Sequence, residues 1–338
     1  MQKKTILITG AAGEIGQALV RALAAAGTHR LLTLDLAPMP AELASLTTHV
    51  RGSVADPAVL EQIAAEHHLD TIFHLAALLS TRAEHSPALA HEVNVEASVL
   101  LLELAAAQSA AHGEAVKFLF PSSMAVYGLP SLEAKQAAGA LAEEEHLHPT
   151  TMYGANKLAV ELLGSYYAEN YRQLDEQPPA RLDFRALRFP GLISAFTLPT
   201  GGTSDYGPEM LHAAAQGQAY ACFVRPDATI PFMAMPDGVR ALLQLAAAPR
   251  AALTRHAYNV TSFSLSAEAF RQQVLAAFPA AQITFAPHAQ RQGIVDAWPM
   301  DMQDAAARAD WGWAPELDQA RCFDEYLVPA IRQRYQAA

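Results

Sequence analysis

Lys4-Thr5-Ile6-Leu7-Ile8-Thr9-Gly10-Ala11-Ala12-Gly13-Glu14-Ile15-Gly16 is the stretch whose reading decides the fold. A β-branched apolar run stops at three spaced glycines, and from Gln17 to Ala26 the apolar residues recur with helical spacing. The pattern predicts strand, glycine turn, helix. Glycines let the backbone turn tightly and approach a diphosphate, whose charge then sits where the first amides of the helix point outward. Gly10, Gly13 and Gly16, with the backbone of Glu14 and Ile15 between them, are therefore candidate cofactor contacts.

Outward from this turn the same alternation repeats. Leu31-Leu32-Thr33-Leu34 predicts a second strand ending in Asp35, placed to accept hydrogen bonds from ribose hydroxyls. Leu36-Ala37-Pro38 follows with no arginine to meet a 2′-phosphate, so NAD is expected rather than NADP. Val50 to Asp56 predicts a third strand leading into a helix opened by Pro57, with Ser53 and Val54 flanking the adenine. Thr71-Ile72-Phe73-His74-Leu75 predicts the fourth strand, and the small residues Ala76 and Ala77 after it leave room for a cofactor. A long apolar helix containing Asn94 is expected next, buried between sheet and neighbour. Val116 to Pro121 predicts a fifth strand that delivers Ser122 and Ser123 to the carboxyl edge, where open α/β sheets bind ligands.

Tyr153-Gly154-Ala155-Asn156-Lys157 opens a further helix running toward Tyr171. At i,i+4 spacing phenol and ammonium share one helix face. A cation there favours the phenolate; lowering a phenol pKa by about three units takes about 4 kcal/mol of differential interaction. Glu133 to His148, with its run Glu143-Glu144-Glu145, is expected as a solvated insert, Gln173 to Pro179 as a loop, and Leu182 to Phe189 as a sixth strand. Alternating strands and helices predict an α/β fold, a Rossmann-like doubly wound parallel sheet. Beyond Pro190, loops rich in small polar residues predict a smaller C-terminal α/β unit for substrate. The expected division is 1–189 with about 234–262 for the dinucleotide unit, and about 190–233 with 263–338 for the substrate unit.

Composition narrows the function classes. The 338 residues carry a formal charge of −11 and no basic run longer than Lys3-Lys4, which argues against nucleic acid as partner. No apolar stretch is long enough to span a bilayer, so no membrane partner is expected. Two scattered cysteines, Cys222 and Cys322, predict neither disulfide nor zinc and point to the cytoplasm. Thirteen histidines include no HExxH or paired-ligand spacing, so no metal site is expected.

With TGAAGEIG, Asp35, HLAA, Asn94, PSSMAVYG and YGANK in this order, the chain resembles the extended short-chain dehydrogenase/reductase family, the NAD-dependent epimerase/dehydratase proteins. Its HLAALLS, RFPGLIS, PTGGTSDY and RPDATIPFMAMPD segments resemble the branch of short-chain-type L-threonine 3-dehydrogenases. The resemblance implies that Tyr153 is the acid/base, that Lys157 binds the nicotinamide ribose and lowers the phenol pKa, and that Ser123 hydrogen-bonds the reacting oxygen. It implies NAD contacts from Gly10, Gly13, Glu14, Ile15, Gly16, Asp35, Ser53, Val54, Leu75, Ala76, Ala77, Asn94, Ser122, Tyr153 and Lys157. It further implies substrate contacts from Ser80, Ser123, Tyr153, Thr203 and the Gly191 to Ser194 turn, and a homodimer packed through the Asn94 and Tyr153 helices. The expected activity is oxidation of a secondary alcohol on a small polar substrate, with a nucleotide-sugar epimerase or dehydratase as the alternative.

Overall fold

The computed structural model describes residues 3–176, 181–199 and 201–336. The end of the expected Gln173 to Pro179 loop and Thr200 of the PTGGTSDY segment lie outside the described residues. Seven parallel strands form the main sheet, in the order Ala257–Asn259, Asp183–Phe189, Lys117–Ser123, Thr71–His74, Thr5–Thr9, Arg30–Asp35, Thr48–Arg51. The chain reverses direction of travel at Thr5–Thr9, so the crevice beyond Thr9 and His74 is the topological switch point.

The strands are apolar on both faces, as a doubly covered sheet requires. Ile6 and Ile8 pack with Leu19, Val239 and Leu242 on one side. Leu7, between them, packs with Leu34, Leu101, Phe118 and Phe184 on the other. Each fully buried side chain of this kind contributes about 1.5–3 kcal/mol, more than any propensity difference, so burial rather than local preference holds these elements together. Helix Met235–Ala247 returns to this unit, and Ala257–Asn259 pairs with Asp183–Phe189 at the sheet edge.

The second unit has a sheet of Phe263–Ser266, Thr229–Ala234 and Gly191–Ile193, over a core that includes Tyr206, Phe232, Phe270 and Phe323. Gly191 to Ile193 is thus a strand, not the turn expected for gripping substrate. Gly191 pairs with Phe232, and a Cβ on it would sit 2.9 Å from that ring, so close packing explains the glycine. The tail also divides differently from the sequence reading: Ala307 and Trp313 join the core under the main sheet, while Trp298 joins the second unit.

The acidic insert is only partly solvated: Glu144 and Glu145 are exposed, but other residues of it turn inward. Ser131 caps the helix Leu132–Ala138 through its hydroxyl, and Ala140–Leu141 pairs with Asp301–Met302. Lys135 is buried and donates from Nζ to the Val295 carbonyl at 2.9 Å. Glu143 is buried too, accepting the Asn259 N–H at 3.1 Å, while Glu144 pairs with Arg255. Charge pattern alone could not distinguish the inward Glu143 from its exposed neighbour Glu144, because its partner comes from a distant segment.

Candidate active site

Gly10 has φ +66°, and a Cβ there would lie 2.6 Å from the Ala76 amide nitrogen. Only glycine allows this turn to press against the loop after Thr71–His74. Gly13 precedes helix Glu14–Ala26 and supplies no side-chain cap, so the first-turn amides remain available to an anion. The Asp35 carboxylate is locked beside them, accepting Ala12 N–H at 3.0 Å and Ala37 N–H at 2.9 Å. The start of this 13-residue helix, with no side chain capping its amides and an oriented carboxylate next to it, fits the diphosphate and ribose of a dinucleotide.

Other expected cofactor residues fall around this turn. Ser53 accepts Ala55 N–H at 3.1 Å, and Val54 packs in the same cluster as Leu34. The Glu14 side chain turns toward the second unit and accepts the Thr197 hydroxyl; burial, with Asp205 nearby, raises its pKa. Asn94 is engaged with the loop backbone: Oδ1 accepts Leu78 N–H at 2.7 Å and Nδ2 donates to Leu78 O at 3.0 Å. Its side chain therefore holds the loop rather than reaching past it.

The tyrosine helix, Met152–Glu169, starts at Thr151, whose Oγ1 accepts Gly154 N–H at 3.0 Å. A Cβ on Gly154 would lie 2.0 Å from the Ala125 carbonyl oxygen, so the helix start sits directly on the turn after Ser123. Lys157 Nζ donates to Pro121 O at 2.7 Å, on the strand that ends in Ser123, and lies 5.4 Å from the Tyr153 ring centroid. The fold thus gathers Ser123, Tyr153 and Lys157 at one strand end. Ser123 Oγ accepts Ala125 N–H at 3.1 Å, which leaves its own proton available to a ligand oxygen.

Electrostatics reverse one expectation. Burial holds the Tyr153 phenol above its ordinary value near 10, and burial lowers Lys157 to about 7, against the pull of the Glu161 carboxylate. Desolvation penalises both charged forms, so spacing on a helix face does not by itself make the phenol acidic. The phenol rests protonated, and the lysine charge is the group positioned to offset that.

Ser122 also differs from its expected role. Successive residues of a strand face opposite sides, and the Ser122 hydroxyl donates to Glu161 Oε1, away from Ser123. Glu161 pairs with Arg188, Nη2 to Oε2 at 2.6 Å and Nε to Oε1 at 2.9 Å. Arg188 Nη1 continues to the Tyr127 hydroxyl at 3.0 Å, which donates to Asn259 Oδ1 at 2.7 Å. Sequence reasoning missed this buried network, although Glu161 follows Lys157 by one helical turn and the spacing marked it.

The expected substrate residues Ser80 and Thr203 meet although they lie 123 positions apart in sequence. Both are buried, and Thr203 Oγ1 lies 3.3 Å from Ser80 Oγ. Arg291 Nη2 donates to Gly202 O at 2.8 Å and tethers the same loop from the C-terminal part of the chain.

A family model described as the NAD-dependent epimerase/dehydratase family matches residues 6–261. The mitochondrial L-threonine 3-dehydrogenase of Bos taurus is 32% identical over 317 residues, 94% of this chain and 80% of that one. Among solved structures, a monomeric L-threonine 3-dehydrogenase from a metagenome superposes with a TM-score of 0.86 at 33% identity, covering 98% of this chain and 99% of that one. The holo form of an L-threonine dehydrogenase from Cupriavidus necator gives 0.83 at 32% identity, with 98% and 99% covered.

Proposed function

Since this chain belongs to the NAD-dependent epimerase/dehydratase family, we propose that it is an NAD-dependent oxidoreductase acting on the secondary alcohol of a small polar substrate, L-threonine. The observation that carries the reading is the delivery of Tyr153 and Lys157 onto the strand end that bears Ser123. Bound NAD supplies the hydride acceptor. Ser123 donates a hydrogen bond to the substrate oxygen; the Tyr153 phenol first gives up its own proton to solvent, the Lys157 ammonium offsetting the cost of the buried phenolate, and that phenolate then takes the substrate's hydroxyl proton as the C–H hydride departs. The product is the corresponding ketone. Ser80 and Thr203, joined across the two units, offer hydroxyls to an amino acid's carboxylate and ammonium. Threonine is favoured because the three relatives named above, each covered over most of its length, all carry the name L-threonine dehydrogenase.

Purified protein given NAD and L-threonine is expected to form NADH, followed by its absorbance, in preference to other hydroxy amino acids. Copurified NAD that never turns over with any of them would instead favour an epimerase on a nucleotide-sugar.

The same reading places the protein in the cytoplasm. Cys222 and Cys322 are free and buried, and burial pushes their thiols up to about 11 and about 12, which keeps them protonated and unreactive. Among the described residues no helix is long and apolar enough to cross a membrane. It also includes a homodimer through helices Ala97–His112 and Met152–Glu169, where Leu162 is 65% and Tyr166 43% exposed. Light scattering is expected to give twice the 36.3 kDa chain mass; the chain mass itself would remove the dimer.

A further inference from the structure

Beneath the cofactor-facing edge runs a hydrogen-bonded chain whose central residue none of the roles above uses. Its centre is His74, the last residue of Thr71–His74 and 1% exposed. Its Nδ1 lies 2.8 Å from Thr9 Oγ1 and its Nε2 2.8 Å from Ser98 Oγ. The far end fixes the direction. The Asn94 carbonyl can only accept, so Ser98 Oγ, 2.7 Å away, donates to it and must accept from His74. Nε2 therefore carries the ring proton. Nδ1 is left as acceptor for the Thr9 hydroxyl, and Thr9 Oγ1 in turn accepts Ala76 N–H at 3.3 Å. From the Ala76 amide to the Asn94 carbonyl every donor points the same way.

Both ends of this chain act on one loop. At one end Thr9 holds the Ala76 amide, against which Gly10 is pressed. At the other, Asn94 lies in the π-helical turn Glu92–Glu96, and its side chain brackets Leu78 through both backbone groups. Such turns within helices recur at functional sites. We propose that His74 is a positioning residue for the dinucleotide: a neutral imidazole, protonated on Nε2, that fixes the Leu75-to-Leu79 backbone against the glycine turn. This rests on the reading of that turn as the NAD site. Burial, and to a lesser extent the Lys157 charge, lowers the His74 pKa to about 3, which keeps the ring in the neutral form the chain requires.

The test is a double-mutant cycle on NAD affinity. His74→Phe and Thr9→Val each break the chain while keeping much of the side-chain shape. Each is expected to weaken NAD binding, measured by titration calorimetry, about tenfold, and the double variant also about tenfold, because either cut disables the same chain. His74→Gln, which keeps one donor and one acceptor, is expected to bind NAD more tightly than His74→Phe. In protein labelled with ¹⁵N-histidine, the signal lost in His74→Phe is expected to show the neutral Nε2–H pattern. Lower thermal stability with unchanged NAD affinity in both single variants would overturn the proposal, as would effects that multiply in the double variant. If His74→Phe fails to fold, Thr9→Val alone decides by its NAD affinity. A wild-type protein that takes up no NAD would overturn the cofactor reading and this proposal together, a result distinct from unchanged affinity in the variants.

Discussion

Tyr153→Phe is expected to leave a folded protein that still binds NAD, with kcat for L-threonine oxidation about a thousandfold lower. The hydroxyl has no hydrogen-bond partner among the described residues, so its removal breaks no structural contact. The ring still packs beside the second unit's core, and Lys157 keeps its bond to Pro121 O. What disappears is the hydroxyl to which the proposed mechanism assigns the substrate proton. A phenylalanine variant with kcat within threefold of the parent would remove Tyr153 from the mechanism; a loss confined to KM would make it a binding residue.

Glu161→Gln should produce the largest change in stability. Arg188 is 3% exposed and its guanidinium is paired with Glu161, so neutralising the carboxylate leaves a buried charge uncompensated. Breaking one side of a buried pair costs about 3–5 kcal/mol, and at this chain size the melting temperature should fall by roughly 10 °C. Burial outweighs every other influence on Lys157, and Glu161 is the group that counters it. Without that carboxylate the ammonium releases its proton at lower pH. Activity that needs the charged lysine is then lost earlier as pH rises, and the alkaline limb of kcat moves down. Thermal melts and a kcat–pH profile read the two effects separately, with Glu161→Asp as the partial rescue. An unchanged melting temperature would show that Arg188 finds another counter-charge; an unchanged pH limb would show that Lys157 is tuned from elsewhere.

The features legible in the sequence were the local ones. Ile6-Leu7-Ile8 followed by Gly10, Gly13 and Gly16 specified strand, turn and helix within one segment, because strand and helix periods and a glycine's backbone freedom belong to neighbouring residues. Asp35 at a strand end and Tyr153 with Lys157 on one helix face followed from the same periods. The parallel doubly wound sheet then came from strands and helices in alternation.

Tertiary structure decided what those residues touch and how they ionise. Ser122 and Ser123 are adjacent in sequence, yet one is committed to Glu161 and the other faces the site. Glu143 and Lys135 lay in a charged stretch that sequence assigned to solvent, and Gly191 in an expected turn, until Asn259, Val295 and Phe232 from distant segments claimed them. The direction of the Tyr153 and Lys157 shifts and the ordered chain through His74 depend on removal from water and on partners far along the chain. Periodicity places a side chain on a face; desolvation and long-range partners, which exist only once the chain has folded, determine its charge and its hydrogen bonds.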